Sequence, residues 1–165
     1  MAVIPKEGDL RDIRNYRPVS LLCVDYKTMG KMLSNRLGLV LPKLISPDQS
    51  YAIPGRTIYD NISLVRDVIQ YADKTQTQVG FLSLDQEKAF DQMNHYYLFE
   101  TLITFGLGRR YVGMIQMLYV LAECLVKVNG HLLAPFPFKR GIRQGCPLAG
   151  QLYSLCIEPF LCLMR

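Results

Sequence analysis

The stretch Leu82–Asp91 reads LSLDQEKAFD, and the interpretation of the whole chain starts from it. An apolar run ends abruptly in Asp85, and an aromatic residue follows at Phe90. The run predicts a buried strand, Val79–Leu84, that would hold one carboxylate rigidly at its tip. Carboxylate oxygens are the ligands that hard divalent cations prefer, so Asp85 is a candidate metal ligand. The alternative is that Asp85 only caps the turn that follows.

The aromatic residue after this carboxylate suggests selection of a sugar. The ring of Phe90 could return beneath the sugar of a nucleotide held near Asp85, where it would leave no room for a 2′-hydroxyl. Phe90 could equally be an ordinary core residue. Its neighbour Asp91 is expected to form a local hydrogen bond rather than to bind metal, and Lys88 could hold a carboxylate or a phosphate.

A second local signal is the segment Arg140–Leu148, which reads RGIRQGCPL. Gly141 and Gly145 permit positive φ or close backbone approach, and Gln144 lies between them. The amide of Gln144 both donates and accepts, which suits a sugar hydroxyl or a base edge. Three nearby cations fit a polyanionic partner, namely Lys139, Arg140 and Arg143. The alternative is a glycine-rich connector whose charges lie in water.

Two cations near the N-terminus, Lys6 and Arg17, lie beside short extended segments. Val3–Pro5 and Pro18–Leu22 flank a polar connection that could form a hairpin. In a hairpin both cations could reach one triphosphate, Arg17 through its planar fork and Lys6 as a point charge. Read alone, they are surface cations.

The composition is that of a globular, basic protein. Half of the 165 residues are apolar, a fifth are charged, and the net charge is +5. Residues 101–165 carry the whole excess of positive charge, with 7 Lys and Arg against 2 Asp and Glu. This charge fits a nucleic-acid partner, and the simpler alternative is a solvated face. The 5 cysteines form no C-x-x-C pair, so neither a disulfide framework nor a zinc knuckle is expected. No apolar run approaches the ~20 residues that cross a bilayer, and no membrane partner is expected.

Periodicity and turn signals predict an α+β fold. The clearest helix has an apolar stripe from Ile58 to Ala72, with Thr57 and Asp60 as a capping box. Asn129-Gly130 predicts a β-hairpin. The other helices are expected after Cys23 with Asp25 as N-cap, from Asn94 to Gly106, over Arg109–Glu123, and from Leu148 with an interruption at Pro159.

Four motifs follow one another in a specific order over nearly the whole chain. They are Ile4-Pro5-Lys6 with Arg17-Pro18-Val19-Ser20, Ile53-Pro54-Gly55-Arg56 leading into Asp60-Asn61-Ile62, Leu84-Asp85 with Lys88-Ala89-Phe90-Asp91, and Arg143-Gln144-Gly145-Cys146-Pro147-Leu148. This ordered set resembles the reverse transcriptases of LINE-type (non-LTR) retrotransposons. The resemblance implies a partial right-hand polymerase, with a fingers-like region at 1–78 and an incomplete palm at 79–165.

The resemblance also implies an activity and its partners. The enzyme would be an RNA-directed DNA polymerase that uses Mg²⁺, or Mn²⁺ in its place, with an RNA template, a DNA primer and deoxynucleoside triphosphates. An element that must reach chromosomal DNA would act inside the cell, in the nucleus, the cytoplasm or both.

By the same likeness, individual residues take individual roles. Asp85 would be the catalytic metal ligand of motif A, and Phe90 would be the sugar gate. Gln144 and Gly145 of motif B would lie beside the incoming nucleotide and the template. Lys6 and Arg17 would bind the triphosphate, and Arg56 would lie near the template or the nucleotide.

The chain departs from the family pattern at two places. Tyr51-Ala52 stands where the family usually has Gly-Phe, which bears on the fingers contacts. Ala149-Gly150 stands where the family usually has Ser-Pro, which bears on the start of the last helix, because Ser would cap it and Pro would favour its first turn.

The family's aromatic-x-Asp-Asp hairpin, motif C, does not occur in this sequence. Such a polymerase would use two divalent ions, one to activate the attacking oxygen and one to stabilise the leaving oxygen, and Asp85 alone cannot hold both. We therefore expect a reverse transcriptase domain truncated before motif C and the thumb, and inactive as this chain alone. Part of its apolar surface, including the last helix, would be exposed or paired elsewhere. The alternative is a decayed, non-catalytic retroelement remnant that binds nucleic acid or other proteins. Oligomeric state is not predicted.

Overall fold

The extended segments predicted at the N-terminus pair as a hairpin in the computed structural model, which describes all residues from Met1 to Arg165. Strands β1 (Ala2–Pro5) and β2 (Tyr16–Val19) are antiparallel, with Ile4 opposite Arg17. Strand β2 begins two residues before the predicted Pro18 and ends at Val19, before the predicted Leu22. Pairing continues past the strand end, where the Lys6 N–H donates to the Asn15 carbonyl at 2.7 Å. Because side chains two residues apart share a face, Lys6 and Arg17 lie on the same face of this hairpin.

The Asn-Gly signal also forms the hairpin that the sequence predicts. Asn129 and Gly130 have φ values of 49° and 85°, as a tight turn of the hairpin type requires. The turn joins β4 (Lys127–Val128) to β5 (His131–Leu132), which have two residues each. These strands extend the N-terminal hairpin into a sheet of order β2-β1-β4-β5, and a separate pair joins β3 (Glu123–Cys124) to β6 (Phe136–Pro137).

Six helices complete the fold, and the hydrophobic core forms between four of them. Helix α6 packs against α1 and α4, and α4 packs against α5. Leu98 and Leu152 are fully buried there. Ile142 and Leu148 of the glycine-rich loop are buried in the same core, each with at most 1% of its surface exposed. The helices are α1 (Val24–Gly38), α2 (Leu41–Leu44), α3 (Ile58–Thr75), α4 (His95–Thr104), α5 (Arg109–Met117) and α6 (Ala149–Met164). None is long and apolar enough to span a bilayer.

Three predicted helix boundaries are wrong. Helix α1 has Cys23 at its N-cap, and Asp25 lies in its first turn, where a carboxylate favours the positive end of the helix dipole. Helix α5 ends at Met117, before the predicted Glu123. Helix α6 continues through Pro159, whose ring removes one backbone hydrogen bond without ending a helix that is otherwise anchored in the core.

The predicted buried strand Val79–Leu84 does not form. These residues have no ladder partner, and the side chains of Phe81 and Leu82 are 78% and 76% exposed. An apolar run becomes a buried strand only when neighbouring strands satisfy its backbone and other layers cover both of its faces. The sequence shows the apolar run, but no other segment of this chain provides the neighbouring strands or the covering layers.

The amphipathic helix α3 forms as predicted, although most of its apolar stripe is exposed. Thr57 and Asp60 make the capping box, with the Thr57 N–H donating to the Asp60 carboxylate at 3.1 Å. Ile58, Ile62 and Ile69 are more than half exposed, Val65 is 38% exposed, and only Ala72 at the end of the stripe is buried. The expected exposure of apolar surface is therefore found on α3 and on residues 79–84, whereas only the last turns of α6 are exposed.

Arg56 stabilises the irregular segment between α2 and α3. Its two terminal nitrogens donate to four backbone carbonyls, those of Pro42, Ile45, Ser46 and Gln49. These bonds occupy most of the guanidinium, so the predicted contact of Arg56 with template or nucleotide receives no support from its surroundings.

This bonding predicts a large loss of stability when the guanidinium is removed. Arg56→Met leaves partly buried carbonyls without partners, and we expect the free energy of unfolding to fall by about 3–5 kcal/mol. Urea denaturation followed by circular dichroism measures the change. The matched control is Arg66→Met, an exposed arginine of α3, for which a change within about 0.5 kcal/mol is expected. Equal effects of the two substitutions would show that the four hydrogen bonds do not stabilise the fold.

Candidate functional site

The glycine-rich loop is hydrogen bonded to the turn that carries Phe90. The Ile142 N–H donates to the Phe90 carbonyl at 2.8 Å, and the Gly141 N–H donates to the Met93 carbonyl at 2.7 Å. Gly141 has a φ of +92°, and a Cβ there would lie 3.3 Å from the Phe90 oxygen and 3.2 Å from the Asp91 oxygen. The two motifs that were predicted separately thus form one unit, and it depends on a glycine at this contact.

The same loop also contacts the N-terminal hairpin. The Ser20 N–H, just beyond β2, donates to the Gln144 carbonyl at 3.3 Å. Gly145 has a φ of +101°, and a Cβ there would lie 3.1 Å from the Ser20 oxygen. This contact brings Arg17, three residues earlier on β2, beside the loop.

An open cavity of about 430 Å³ lies where these segments meet. This volume is within the range of small-molecule sites. Arg17, Phe90, Gln144 and Gly145, all predicted site residues, line it together with Tyr51, Cys146, Ala149 and Gly150. The cavity therefore combines an exposed cation, an aromatic ring, a side-chain amide and accessible backbone, which are groups suited to the phosphate, sugar and base of a nucleotide.

Two tyrosines that the sequence analysis did not select surround Phe90. The ring of Tyr153 stacks on Phe90 with centroids 4.8 Å apart, and the ring of Tyr51 meets Phe90 edge-on at 6.3 Å. Tyr51 belongs to a departure from the family pattern, which was the only sequence signal available for it. Tyr153 on helix α6 carried no distinguishing signal, because an aromatic residue at helical spacing is usually a core residue.

Asp85 lies at the edge of this arrangement. Its side chain is exposed and does not line the cavity, and it follows an irregular segment rather than a strand. The next residue, Gln86, accepts a hydrogen bond from the Tyr153 hydroxyl at 2.6 Å. Burial raises the pKa of Tyr153, and Tyr51 and the Asp85 carboxylate raise it further, so Asp85 is within electrostatic reach of this ring.

The residues present do not by themselves form a metal site. No group of three or more His, Cys, Asp or Glu side chains is arranged to hold an ion. Asp85 is one exposed carboxylate and could supply only part of a ligand set. The nearby Asp91 accepts a long hydrogen bond, 3.4 Å, from the Gln144 amide, and it contacts this motif B side chain rather than the start of α4, which Asn94 caps.

The remaining predicted cations differ in their surroundings. Arg143 stacks over Tyr26 and Phe138, 5.0 and 5.3 Å from the ring centroids, so its guanidinium already has aromatic partners. Lys139 and Arg140 are exposed, and so is Lys6, which does not line the cavity. Lys88 has a φ of 49° and lies 3.7 Å from Glu87, an exposed pair of small energetic value.

Comparisons with known proteins give the same interpretation as the motifs. Residues 4–165 match the family described as reverse transcriptase (RNA-dependent DNA polymerase). The transposon TX1 uncharacterized 149 kDa protein of Xenopus laevis is 57% identical over 100% of this chain and 13% of its own length. The retrovirus-related Pol polyprotein from type-2 retrotransposable element R2DM of Drosophila melanogaster is 27% identical over 96% of this chain and 15% of its own length.

A further relative is the probable RNA-directed DNA polymerase from transposon BS of Drosophila melanogaster, 25% identical over 90% of this chain and 16% of its own length. The chain therefore belongs to the reverse transcriptase family. Within that family it is a sequence of the non-LTR retrotransposon type, as its motif order predicts. It spans between 13% and 16% of the length of these three relatives.

Proposed function

We propose that this chain forms the nucleotide-binding part of an RNA-directed DNA polymerase. The observation that carries the proposal is the cavity in which Arg17, Phe90, Gln144 and Gly145 meet, although they come from three separate parts of the sequence. An incoming deoxynucleoside triphosphate would occupy this cavity. Residues 1–78 would act as a fingers-like region, and residues 79–165 as part of a palm.

The position of each group suggests how the nucleotide is bound. The guanidinium of Arg17 would donate to the triphosphate, with Lys6 on the same hairpin face as a second cation. The ring of Phe90 would lie beneath the sugar, and the Gln144 amide beside the sugar or base. These groups would bind and orient the nucleotide, whereas Asp85, which does not line the cavity, would act on the reacting phosphate through a bound metal ion.

The charge of the second half of the chain suggests where the nucleic acid lies. Lys139 and Arg140 are exposed next to the glycine-rich loop, so they could contact the phosphates of an RNA template and a DNA primer. Arg143 would contribute less, because its guanidinium is stacked on aromatic rings.

Reverse transcriptases generally use divalent metal ions, and we propose Mg²⁺, with Mn²⁺ as a substitute. Asp85 would provide one oxygen ligand, and carboxylates from outside this chain would have to provide the others. A bound ion would supply charge for the transferring phosphate. An enzyme that copies RNA for insertion into chromosomal DNA would act inside the cell, in the nucleus, the cytoplasm or both.

Binding of dTTP to the 165-residue chain, measured by NMR, tests the proposal. We expect titration to shift the amide signals of Gly145 and its neighbours, and Arg17→Met to weaken binding at least about 10-fold, since a hydrogen bond to a charged group contributes about 1.5–3 kcal/mol. The matched control is Arg110→Met, an exposed arginine of α5 outside the cavity, which should bind like the parent. Shifts confined to another surface, or equal effects of both substitutions, would contradict the assignment of the cavity.

A further inference from the structure

The ring of Phe90 is held between two tyrosines that come from different parts of the chain. Tyr153 lies on α6 and stacks on Phe90 with an interplanar angle of 25°. Tyr51 lies between α2 and α3 and meets Phe90 at an interplanar angle of 74°. The two tyrosines also contact each other edge-on, with centroids 6.2 Å apart. Stacked and edge-on contacts are the favoured aromatic geometries, so the three rings fix one another.

The hydroxyl of Tyr153 ties this group to the segment that follows Asp85. It donates to the Gln86 side chain at 2.6 Å, across a sequence separation of 67 residues. A tyrosine hydroxyl is protonated near neutral pH, so Tyr153 can keep this donor. One side chain of α6 thus contacts both the aromatic ring and the turn that connects it to the carboxylate.

A backbone hydrogen bond holds Tyr51 in place, and the lack of a side chain at Gly150 leaves room for it. The Ser154 hydroxyl of α6 donates to the Tyr51 carbonyl at 2.6 Å. A Cβ at Gly150 would lie 2.7 Å from the Ala52 Cβ and 3.5 Å from the Tyr51 ring. The two departures from the family pattern therefore touch each other: the absence of a side chain at Gly150 leaves the space that Tyr51-Ala52 occupies.

From these contacts we propose that Tyr153, in contact with Tyr51, is a positioning residue that fixes the Phe90 ring against the nucleotide sugar, and so sets the discrimination between deoxyribose and ribose. This inference rests on the proposed function of the cavity. Tyr153 does not line the cavity, so it can affect the sugar only through Phe90 and the turn. A ring that could swing aside would leave room for a 2′-hydroxyl, even with Phe90 intact.

The test uses a longer polypeptide in which this chain replaces the matching segment of the Xenopus laevis TX1 protein, and compares kcat/KM for dTTP and UTP on an RNA template. We expect Tyr153→Leu to lower the dTTP preference about 10-fold, mainly through faster UTP use. Tyr153→Phe keeps the stacked ring and should retain the preference within about 3-fold. In a Phe90→Ala background, Tyr153→Leu should cause no further change, because both substitutions remove the same barrier.

The outcomes separate this inference from the function on which it rests. If Tyr153→Leu lowers activity equally for both nucleotides, Tyr153 has a structural role only, and the inference is overturned. The same conclusion follows if the effects of Tyr153→Leu and Phe90→Ala on the preference multiply independently. A Phe90→Ala variant with unchanged preference would instead contradict the assignment of Phe90 as the gate.

Discussion

Primer extension is expected to fall at least ~10³-fold when Asp85 is replaced by asparagine. The substitution is made in the longer polypeptide described above, in which this chain replaces the matching segment of the Xenopus laevis TX1 protein. Asparagine keeps the shape of the side chain but removes its negative charge, and a neutral amide is a poor ligand for a hard divalent ion. The Asp85 side chain is exposed, so the fold should tolerate the change. Incorporation of labelled dTTP on a poly(rA) template with a DNA primer and Mg²⁺ measures the loss.

Glu87 provides the matched control for this substitution. It is an exposed carboxylate two residues away, with only a long contact to Lys88, and it does not line the cavity. Glu87→Gln should therefore extend primers at a rate close to that of the unsubstituted polypeptide. If Asp85→Asn retained activity within 10-fold of that level, Asp85 would not be a metal ligand of the reaction.

The second large effect concerns the choice of sugar. Phe90→Ala is expected to reduce the preference for dTTP over UTP about 10²-fold, because removal of the ring opens space for the 2′-hydroxyl. Phe90 is half-buried and lines the cavity, so the substitution changes the wall next to the proposed sugar position. The ratio of kcat/KM for the two nucleotides measures this preference independently of the amount of active protein.

An exposed phenylalanine outside the cavity serves as the control. Phe160 lies near the end of α6 and is 51% exposed, so Phe160→Ala should leave the nucleotide preference unchanged. A Phe90→Ala variant that excludes UTP as strongly as the parent would assign sugar selection to another group. Loss of dTTP use without any gain for UTP would likewise contradict the gate.

Local signals predicted much of the secondary structure. The capping box at Thr57 and Asp60, the Asn129-Gly130 turn and the N-terminal hairpin are confirmed, because each depends on interactions between residues close in sequence. The buried strand Val79–Leu84 was wrong because burial depends on other segments, and no other segment of this chain covers it. Periodicity identifies the apolar side of an element, but it does not show whether anything packs against that side.

The cavity was predictable in part. The motif order suggested that Arg17, Phe90, Gln144 and Gly145 belong together, and the structure brings these residues to one cavity. Its aromatic surroundings were not predictable, since the contact of Tyr153 with Phe90 spans 63 residues and depends on how α6 packs. Arg56 shows another limit, because the motif gave no sign that this arginine donates to backbone carbonyls of its own loop.

The most direct measurement is the structure of the longer polypeptide bound to an RNA template, a chain-terminated DNA primer and dTTP. We expect the triphosphate to contact Arg17, and the sugar C2′ to lie within van der Waals distance of the Phe90 ring, about 4 Å. Density for the nucleotide outside the cavity between the N-terminal hairpin and the glycine-rich loop would contradict the proposed function of this chain.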